Sequence, residues 1–385
     1  MAQGCDFLIV GAGIAGASLG YELARRGGSV VVLERESAAG YHTTGRSAAA
    51  FAASYGSLLA RRLTGASRTF FDSPPDGFCG HALLAPRGVL FVASPDQEDA
   101  LARLSEQMVA AGNAGETVDA AGAARLVPVL RRDKLRGAIF DRASMDIDVH
   151  GLHHGYLAGL RRAGGRLALN AEVRAIARAG GRWQVRTRDG AFEAPVLVNA
   201  AGAWGDEVAA LAGAAPAGLV PMRRTAFTFD PPPGIDPGPW PMVVDASESL
   251  YFKPDAGRIL ASPADETASP PCDAQAEEID IAVAMERLQA LTTLAPRTIA
   301  HKWAGLRTFA PDRLPVAGFD DGCEGFFWLV GQGGTGIQMA PALARLGAAL
   351  ACGEELPVDL AALGVDEREL SAGRAALCRA GPAGR

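Results

Sequence analysis

Short apolar runs alternate with glycine-rich turns and amphipathic stretches along most of this chain. Phe7-Leu-Ile-Val10 is an uninterrupted apolar run, the pattern of a parallel strand buried on both faces. Gly11-Ala-Gly-Ile-Ala-Gly16 follows, and apolar positions at Tyr21, Leu23 and Ala24 then mark a helical stretch that stops at Gly27-Gly28. Val30-Val-Val-Leu33 is a second buried strand, closed by Glu34. Near the far end, Phe326-Phe-Trp-Leu-Val330 leads into Gly331-Gln-Gly-Gly-Thr-Gly336 and an alanine-rich helix to about Cys352. The order strand, glycine turn, helix thus occurs twice.

Between these units, Asp148 is placed to cap a helix through Leu152, Tyr156 and Leu160 that ends at Gly164-Gly165. Two strand-like runs come next, Leu167 to Ile176 and Trp183 to Arg188, joined by a turn at Gly180-Gly181. Val196-Leu-Val-Asn199 is a further buried strand running into Ala200-Ala-Gly-Ala-Trp204. Residues 85–145 and 219–303 differ: they carry proline clusters and strand-like pieces such as Leu250-Tyr-Phe-Lys253. The pattern predicts an α/β (α+β) protein with a Rossmann-like domain and a second, sheet-containing substrate domain. Residues 1–84, 146–218 and 304–375 form the first, discontinuously, and 85–145 with 219–303 the second. The Gly/Ala/Arg-rich end after about residue 372 reads as frayed, with 376–385 a tail.

Composition narrows the class. The 385 residues are 49% hydrophobic and 21% charged, ordinary for a globular enzyme, and the formal charge of −6 gives no basic excess for nucleic acid. Six cysteines are scattered without a CxxC, which suits a reducing cytosol. No apolar run approaches the roughly 18–20 residues that span a bilayer, and the first residues lack the basic start of a signal peptide. The expected location is cytoplasmic, with peripheral contact at the inner membrane left open.

Gly11, Gly13 and Gly16 have the spacing of a dinucleotide-binding turn, in which glycines allow the tight turn, the approach to pyrophosphate and the packing of helix on strand. The helix start offers free N–H groups and a positive dipole end to phosphates. Glu34, 18 residues past Gly16, suits ribose hydroxyls and repels a 2′-phosphate. The motif alone does not separate FAD from NAD. The second glycine turn, Gly331 to Gly336, favours FAD, which is long enough to cross several strand ends.

Three further segments carry a family resemblance. Gly40-Tyr-His-Thr-Thr-Gly-Arg-Ser-Ala-Ala49, Val198-Asn-Ala-Ala-Gly-Ala-Trp204 and Gly331-Gln-Gly-Gly-Thr-Gly-Ile-Gln338 resemble the D-amino-acid oxidase superfamily, which includes glycine and sarcosine oxidases. The likeness runs over nearly the whole chain and is strongest to the bacterial FAD-dependent D-arginine dehydrogenase branch. It also takes in Val127 to Lys134 and Trp303-Ala-Gly-Leu-Arg307. The resemblance implies that Thr44, Gly45, Arg46, Ser47 and Ala48 line the pyrophosphate and flavin. Val173 then reaches the adenine side and Gly202 lies beneath the cofactor. Implied contacts extend to Ala12, Ile14, Ala15, Arg35, Thr43, Ala49, Ala201, Trp204, Arg307, Gly333, Gly334, Thr335, Gly336, Ile337 and Gln338. The sarcosine-oxidase branch tethers flavin through a cysteine in the segment matching 303–312; this chain has none there, so noncovalent FAD is expected.

On the substrate side the resemblance implies oxidation of D-amino acids to 2-oxo acids and ammonia, by hydride transfer from Cα to flavin N5. An arginine fork clamps a carboxylate bidentately, and Arg307 and Arg224 match such positions, with Arg223 the competitor. Tyr55 and Tyr251 match substrate-contacting tyrosines, Gly334 offers a carbonyl to the amine, and Thr335 a further contact. No dedicated general base is expected. Ala50 stands where the D-arginine branch has a histidine, and Val89 where it has a glutamate for the guanidinium. With Met242 and Val244 they predict a wider, apolar side-chain pocket that disfavours D-arginine. The alternatives are an N-alkyl amino acid or a 2-hydroxy acid as substrate, or a flavin-carrying subunit of a larger complex. Whether oxygen or a quinone reoxidises the flavin stays open. His150, His153 and His154, near Asp146 and Asp148, read as partly exposed imidazoles on a capped helix, and no metal is expected. His42 has no assigned role.

Overall fold

A computed structural model describes residues 2–110 and 112–377. Its centre is a six-stranded sheet in the order Arg166–Ala168, Val30–Leu33, Phe7–Val10, Val196–Asn199, Phe326–Val330, Val316–Phe319. The first five strands are parallel, and Val316–Phe319 adds an antiparallel edge. Successive side chains of a strand point to opposite faces, so an unbroken apolar run needs cover on both sides. On one face Ile9, Val32, Val198 and Phe327 pack with Leu19, Leu160, Met339 and Leu343 from three helices, Ile14–Arg25, Val149–Arg162 and Gly336–Cys352. On the other face Leu8, Val31, Leu197 and Trp328 meet Trp183, Val185 and Phe192 of a four-stranded sheet. Burying each large apolar side chain contributes about 1.5–3 kcal/mol, so a charged residue at Ile9 or Val198 would break this layer.

A second, larger sheet joins Val220–Phe229, Arg258–Ser262, Tyr251–Asp255, Met242–Asp245, Val89–Ala93 and Gly137–Asp141, with short strands at its edges. Leu90, Val92, Phe227, Val243 and Phe252 point to one face, packed with Ile281, Ala284 and Leu288 of the helix Glu278–Leu291. By the two-residue alternation, Val89, Met242, Val244, Tyr251, Arg224 and Ala226 share the opposite face. His301–Phe309 pairs along its whole length with Val220–Phe229, so the 303/304 boundary read from the sequence falls inside a strand of this sheet. A small sheet of Ala50–Phe51, Met145–Ile147 and Leu84–Pro86 links the segments.

Two expectations need correction. The run Leu167 to Ile176 is not one strand: Arg166–Ala168 and Val173–Ala179 belong to different sheets, with Asn170 at φ 54 between them. The main chain there turns to bond the loop after the second strand, Ala171 N–H donating to the Glu34 carbonyl at 2.7 Å. The end of the chain is not frayed from residue 372 either. Ala372 and Leu377 are buried in the core cluster of Trp183 and Trp328, which an apolar side chain favours over solvent. Residues 378–385 of the expected tail, Cys378 included, lie outside the described residues. No described helix is long and apolar enough to cross a membrane.

Candidate cofactor and substrate site

An open cleft with about 1690 Å³ of non-atom space, continuous with solvent, runs over the C-terminal ends of the parallel strands. That is where ligands bind in open α/β sheets. At one end the glycine turn closes tightly, since a Cβ on Gly16 would lie 1.9 Å from the Gly11 carbonyl oxygen. Glu34 is buried beside it, its carboxylate accepting from the N–H groups of Ala12 and Glu36, both at 3.0 Å. That fixes the carboxylate in the cleft with lone pairs left for a diol. The Ile14 N–H, first of the helix, donates to Thr44 Oγ1 at 3.0 Å, so the loop after the second strand sits on the helix end. Arg35 lies over the Trp204 ring at 4.9 Å, and His42 packs on that ring at 4.6 Å while bonding Glu36 at 2.9 Å.

His153 was missed as a supporting residue. It is buried, and its Nε2 donates to the Ala12 carbonyl at 2.8 Å, so the helix Val149–Arg162 holds the glycine turn directly. Burial lowers its pKa below the ordinary value, partly offset by the bond to Ala12. The partly exposed reading fails because position 153 faces the sheet, whereas His154 stays exposed. The signal available was its position three residues before Tyr156, on the apolar stripe.

The loop of residues 40–48 is held against the edge strand His301–Phe309. Alternate carbonyls of that strand face outward: Ala304 accepts from Arg46 Nη1 at 2.9 Å, Leu306 from Thr43 Oγ1 at 2.8 Å, and Thr308 from the Gly333 N–H at 2.9 Å. Arg46 also bonds the Ala274 carbonyl and pairs with Asp273, so its guanidinium ties the 40–48 loop to the strand His301–Phe309 and to residues 273–274, and Arg46 lines the cleft.

At the far end stand Arg224, Tyr251, Arg307 and Gly334. Arg224 and Arg223 are separated by strand alternation. Arg224 faces the cleft, its Nε donating to the Asp265 carbonyl at 2.7 Å and its Nη2 pairing with Glu266 at 3.2 Å. Arg223 turns to the other side, to Glu277 and to Asp280 at 3.1 Å. Arg307 is half-buried, and among the described residues its guanidinium has no hydrogen bond or ion pair. It lies over Gly334, where a Cβ would come within 2.9 Å of Nη1. Burial, and then the Arg307 cation, lower the Arg224 pKa, while Tyr251 and Tyr55 act on it in the opposite sense. Two neighbouring cations carrying only one carboxylate between them at close range make a ready site for an anion.

Several expected residues stand elsewhere. Gly16, Ala12, Gly45 and Ala49 support the cleft without lining it. Gln338 is turned to the loop of residues 50–56, its Oε1 accepting from the Ala52 N–H at 3.0 Å, while its buried Nε2 has no partner among the described residues. The Thr335 hydroxyl donates to the Gln332 carbonyl at 3.1 Å, closing its own turn. Tyr55, Ala50, Val89, Met242 and Val244 do not border the cleft. Val89 is buried in a cluster with Phe91, Met108 and Ile139, against which Met242 and Val244 also pack. Acids near that end are engaged: Asp146 with Arg87 and Lys253 at 2.7 Å each, Asp141 with Ser144, and Asp245 with Ser249, Leu250 and Gln97. Glu248 differs. The residue as a whole stays exposed, yet the surrounding protein pushes its carboxyl above the ordinary value, against the pull of Arg224 and Arg307. Among the described residues its carboxylate makes no hydrogen bond or ion pair. No group of metal-ligating side chains occurs among the described residues.

These residues fit FAD: a rigid carboxylate for the ribose, a helix N-terminus lining the cleft for phosphates, and a long cleft reaching a second glycine turn. Comparison with known proteins agrees. Residues 6–350 match the model of the DAO family, "FAD dependent oxidoreductase". The chain is 26% identical over 227 residues to the hydrogen cyanide synthase subunit HcnC of Pseudomonas protegens, a match covering 58% of this chain. It covers 53% of that relative, so the chain spans about half its length. A D-amino acid dehydrogenase of Cereibacter sphaeroides is 27% identical over 435 aligned positions, 96% of each chain. Among solved structures, glycine oxidase from Geobacillus kaustophilus superposes with a TM-score of 0.83 at 22% identity, covering 97% of this chain and 99% of that one.

Proposed function

This chain belongs to the DAO family of FAD-dependent oxidoreductases, and from that premise we propose that it oxidises D-amino acids with neutral or apolar side chains. The products are imino acids, which water converts to 2-oxo acids and ammonia. The reading is carried by Arg307, an unpaired guanidinium beside Arg224 at the end of the cofactor cleft. FAD, when bound, takes up the two electrons that leave Cα. The chain supplies the rest. Arg307 and Arg224 hold the carboxylate in a charge-assisted fork, Tyr251 adds a hydroxyl, and the Gly334 carbonyl accepts from the amine. Positioning of this kind needs no dedicated base, because the amine can enter neutral.

The D-configuration is supported by the D-amino acid dehydrogenase similar over 96% of the chain. The side-chain preference is supported by the engagement of Asp141, Asp146 and Asp245 with other groups, which leaves none of them for a guanidinium. We also hold the FAD to be noncovalent, because residues 303–312 contain no cysteine. Anaerobic titration of the purified protein with D- and L-amino acids tests the proposal. Bleaching of the flavin by D-leucine, D-methionine or D-phenylalanine, with ammonia released on turnover, is the expected result. Bleaching only by N-alkyl amino acids or 2-hydroxy acids overturns it.

A second reading has one observation in its favour: a relative named as a synthase subunit. On that reading the chain carries flavin for a complex, and the purified chain alone reduces no artificial electron acceptor with any substrate of the panel.

A further inference from the structure

We propose that Glu266, braced by Arg313, is a positioning residue that turns Arg224 toward the substrate carboxylate. The inference rests on the carboxylate fork of Arg307 and Arg224 and not on the choice of substrate side chain. A guanidinium has two edges that can grip an oxyanion, a side edge of Nε with Nη2 and an end edge of Nη1 with Nη2. In Arg224 the side edge is taken by two successive residues. Its Nε donates to the Asp265 carbonyl at 2.7 Å and its Nη2 to Glu266 Oε1 at 3.2 Å. Nη1 has no partner among the described residues and, unlike the Arg223 Nε, is not a buried orphan, so it stays reachable from the cleft that Arg224 lines. Residues 265–266 thus decide which edge of Arg224 is left for a ligand.

Those two residues are themselves held on both sides. Asp265 is pinned to the strand that carries Arg224, its carboxylate accepting from the Thr225 N–H at 2.7 Å and from the Thr225 hydroxyl at 3.2 Å. Both oxygens of Glu266 accept from Arg313 Nη2, at 3.0 Å each. The Arg313 guanidinium lies 3.8 Å from the centre of the Phe309 ring. That ring also packs under the second glycine turn, where a Cβ on Gly333 would come within 2.2 Å of it. Arg224, Glu266, Arg313, Phe309 and Gly333 therefore form one run of contacts from the substrate arginine to a turn that lines the cofactor cleft. Arg313 is half-exposed, and ion pairs at that exposure add little stability. Its effect is on direction, because a grip on both oxygens stops the long Glu266 side chain from swinging. By charge alone, a carboxylate beside Arg224 weakens the hold on an incoming anion; by orienting Arg224 it strengthens that hold. The two roles predict opposite changes when Glu266 is removed.

The test uses the holoprotein and the amino or hydroxy acid that bleaches wild-type flavin fastest, D-leucine being tried first. Anaerobic rapid mixing reads its apparent dissociation constant and the limiting rate of flavin reduction in wild type, Glu266→Ala, Glu266→Gln, Glu266→Asp and Arg313→Ala. Glutamine keeps the length and the acceptor without the charge, and aspartate keeps the charge one methylene short of Arg224. We expect Glu266→Ala and Glu266→Asp to bind about three- to tenfold more weakly and to reduce flavin more slowly, with Glu266→Gln close to wild type. Arg313→Ala should shift both in the same direction by less, and add nothing in the Glu266→Ala background. FAD affinity and the midpoint potential without substrate should stay unchanged, because Glu266 does not border the cleft. Tighter binding in Glu266→Ala overturns the proposal. So does aspartate matching wild type while glutamine matches alanine, since either result marks an effect of charge. Wild-type binding in every Glu266 variant overturns it as well. Arg224→Ala separates this inference from the fork: if that variant also binds like wild type, the carboxylate reading falls and the proposal with it. Should Glu266→Ala not fold, the glutamine and aspartate variants decide.

Discussion

Arg307 and Arg223 are both arginines of adjoining strands, yet their truncation should fail in different ways. Arg307→Ala removes one arm of the carboxylate fork and leaves no orphaned acid. Flavin reduction should need about ten- to a hundredfold more substrate, from a charge-assisted bond worth about 1.5–3 kcal/mol, with FAD still bound and thermal stability unchanged. Rapid-mixing reduction kinetics would show it. Arg223→Ala instead strands Asp280 and Asp265 in a largely buried cluster, so it should lower the melting temperature and spare substrate affinity. His153 adds a pH dependence. Its folded pKa lies below the ordinary 6.5, so the unfolded chain takes up the proton first as pH falls. This part of the stability is present above about pH 6.5 and is lost on acidification below it. Melting curves between pH 8 and 5 should show a smaller acid loss for His153→Gln than for wild type.

Between elements, the decisive contact is the outward edge of His301–Phe309. An edge strand offers unpaired backbone groups, and here three carbonyls are used to seat the 40–48 loop and the second glycine turn. The substrate arginine and the cofactor loops thus share one strand as a common ruler. Thr43→Val removes one neutral bond of the row and should cost about 1 kcal/mol. Arg46→Ala removes bonds to Ala274 and Ala304 together with the pair to Asp273, and should weaken FAD binding more than Thr43→Val does. Fluorescence titration of the apoproteins with FAD measures both. Equal affinity in all three proteins would show that the row positions only the sheets.

For the whole molecule, the cleft between the two sheets makes FAD part of the fold's stability. A ligand bound at a hundred times its dissociation constant adds about 2.7 kcal/mol, so apoprotein made by acid or chaotrope treatment should melt below the holoprotein and recover on adding FAD. Flavin that stays with the precipitated chain would contradict noncovalent binding. The substrate pocket is also a property of the assembled sheet. Val89→Glu would bury a carboxylate among Phe91, Met108 and Ile139, away from the cleft, so it should lower the melting temperature and leave the ratio of kcat/KM for D-arginine and D-leucine unchanged. Glu248, unpaired near Arg224, is the acid that a cationic substrate would meet. If D-arginine is already the best substrate of the wild type and Glu248→Gln abolishes that preference, the apolar reading of the pocket is wrong.

The first strand, the glycine turn with Glu34, the cap at Asp148 and the strand before Gly331 are all set by local physics. Unbroken apolar runs of four or five residues have only one comfortable place, and glycine spacing dictates a turn whatever lies around it. Arg307 and Arg224 were legible because a resemblance placed them, and alternation along one strand then separated Arg224 from Arg223. Other features depended on contacts between distant segments. Whether Gln338 faces the cofactor or the loop of residues 50–56 depends on Ala52, and nothing in residues 331–338 encodes that choice. The burial of His153 beneath Ala12, the split of the run from Leu167 to Ile176 between two sheets, and the anchoring of Ala372 and Leu377 follow the same rule. Each is settled by which surface comes to cover it. A sequence fixes periodicity and turn chemistry directly, whereas the partner of a buried polar atom is chosen only when the sheets meet.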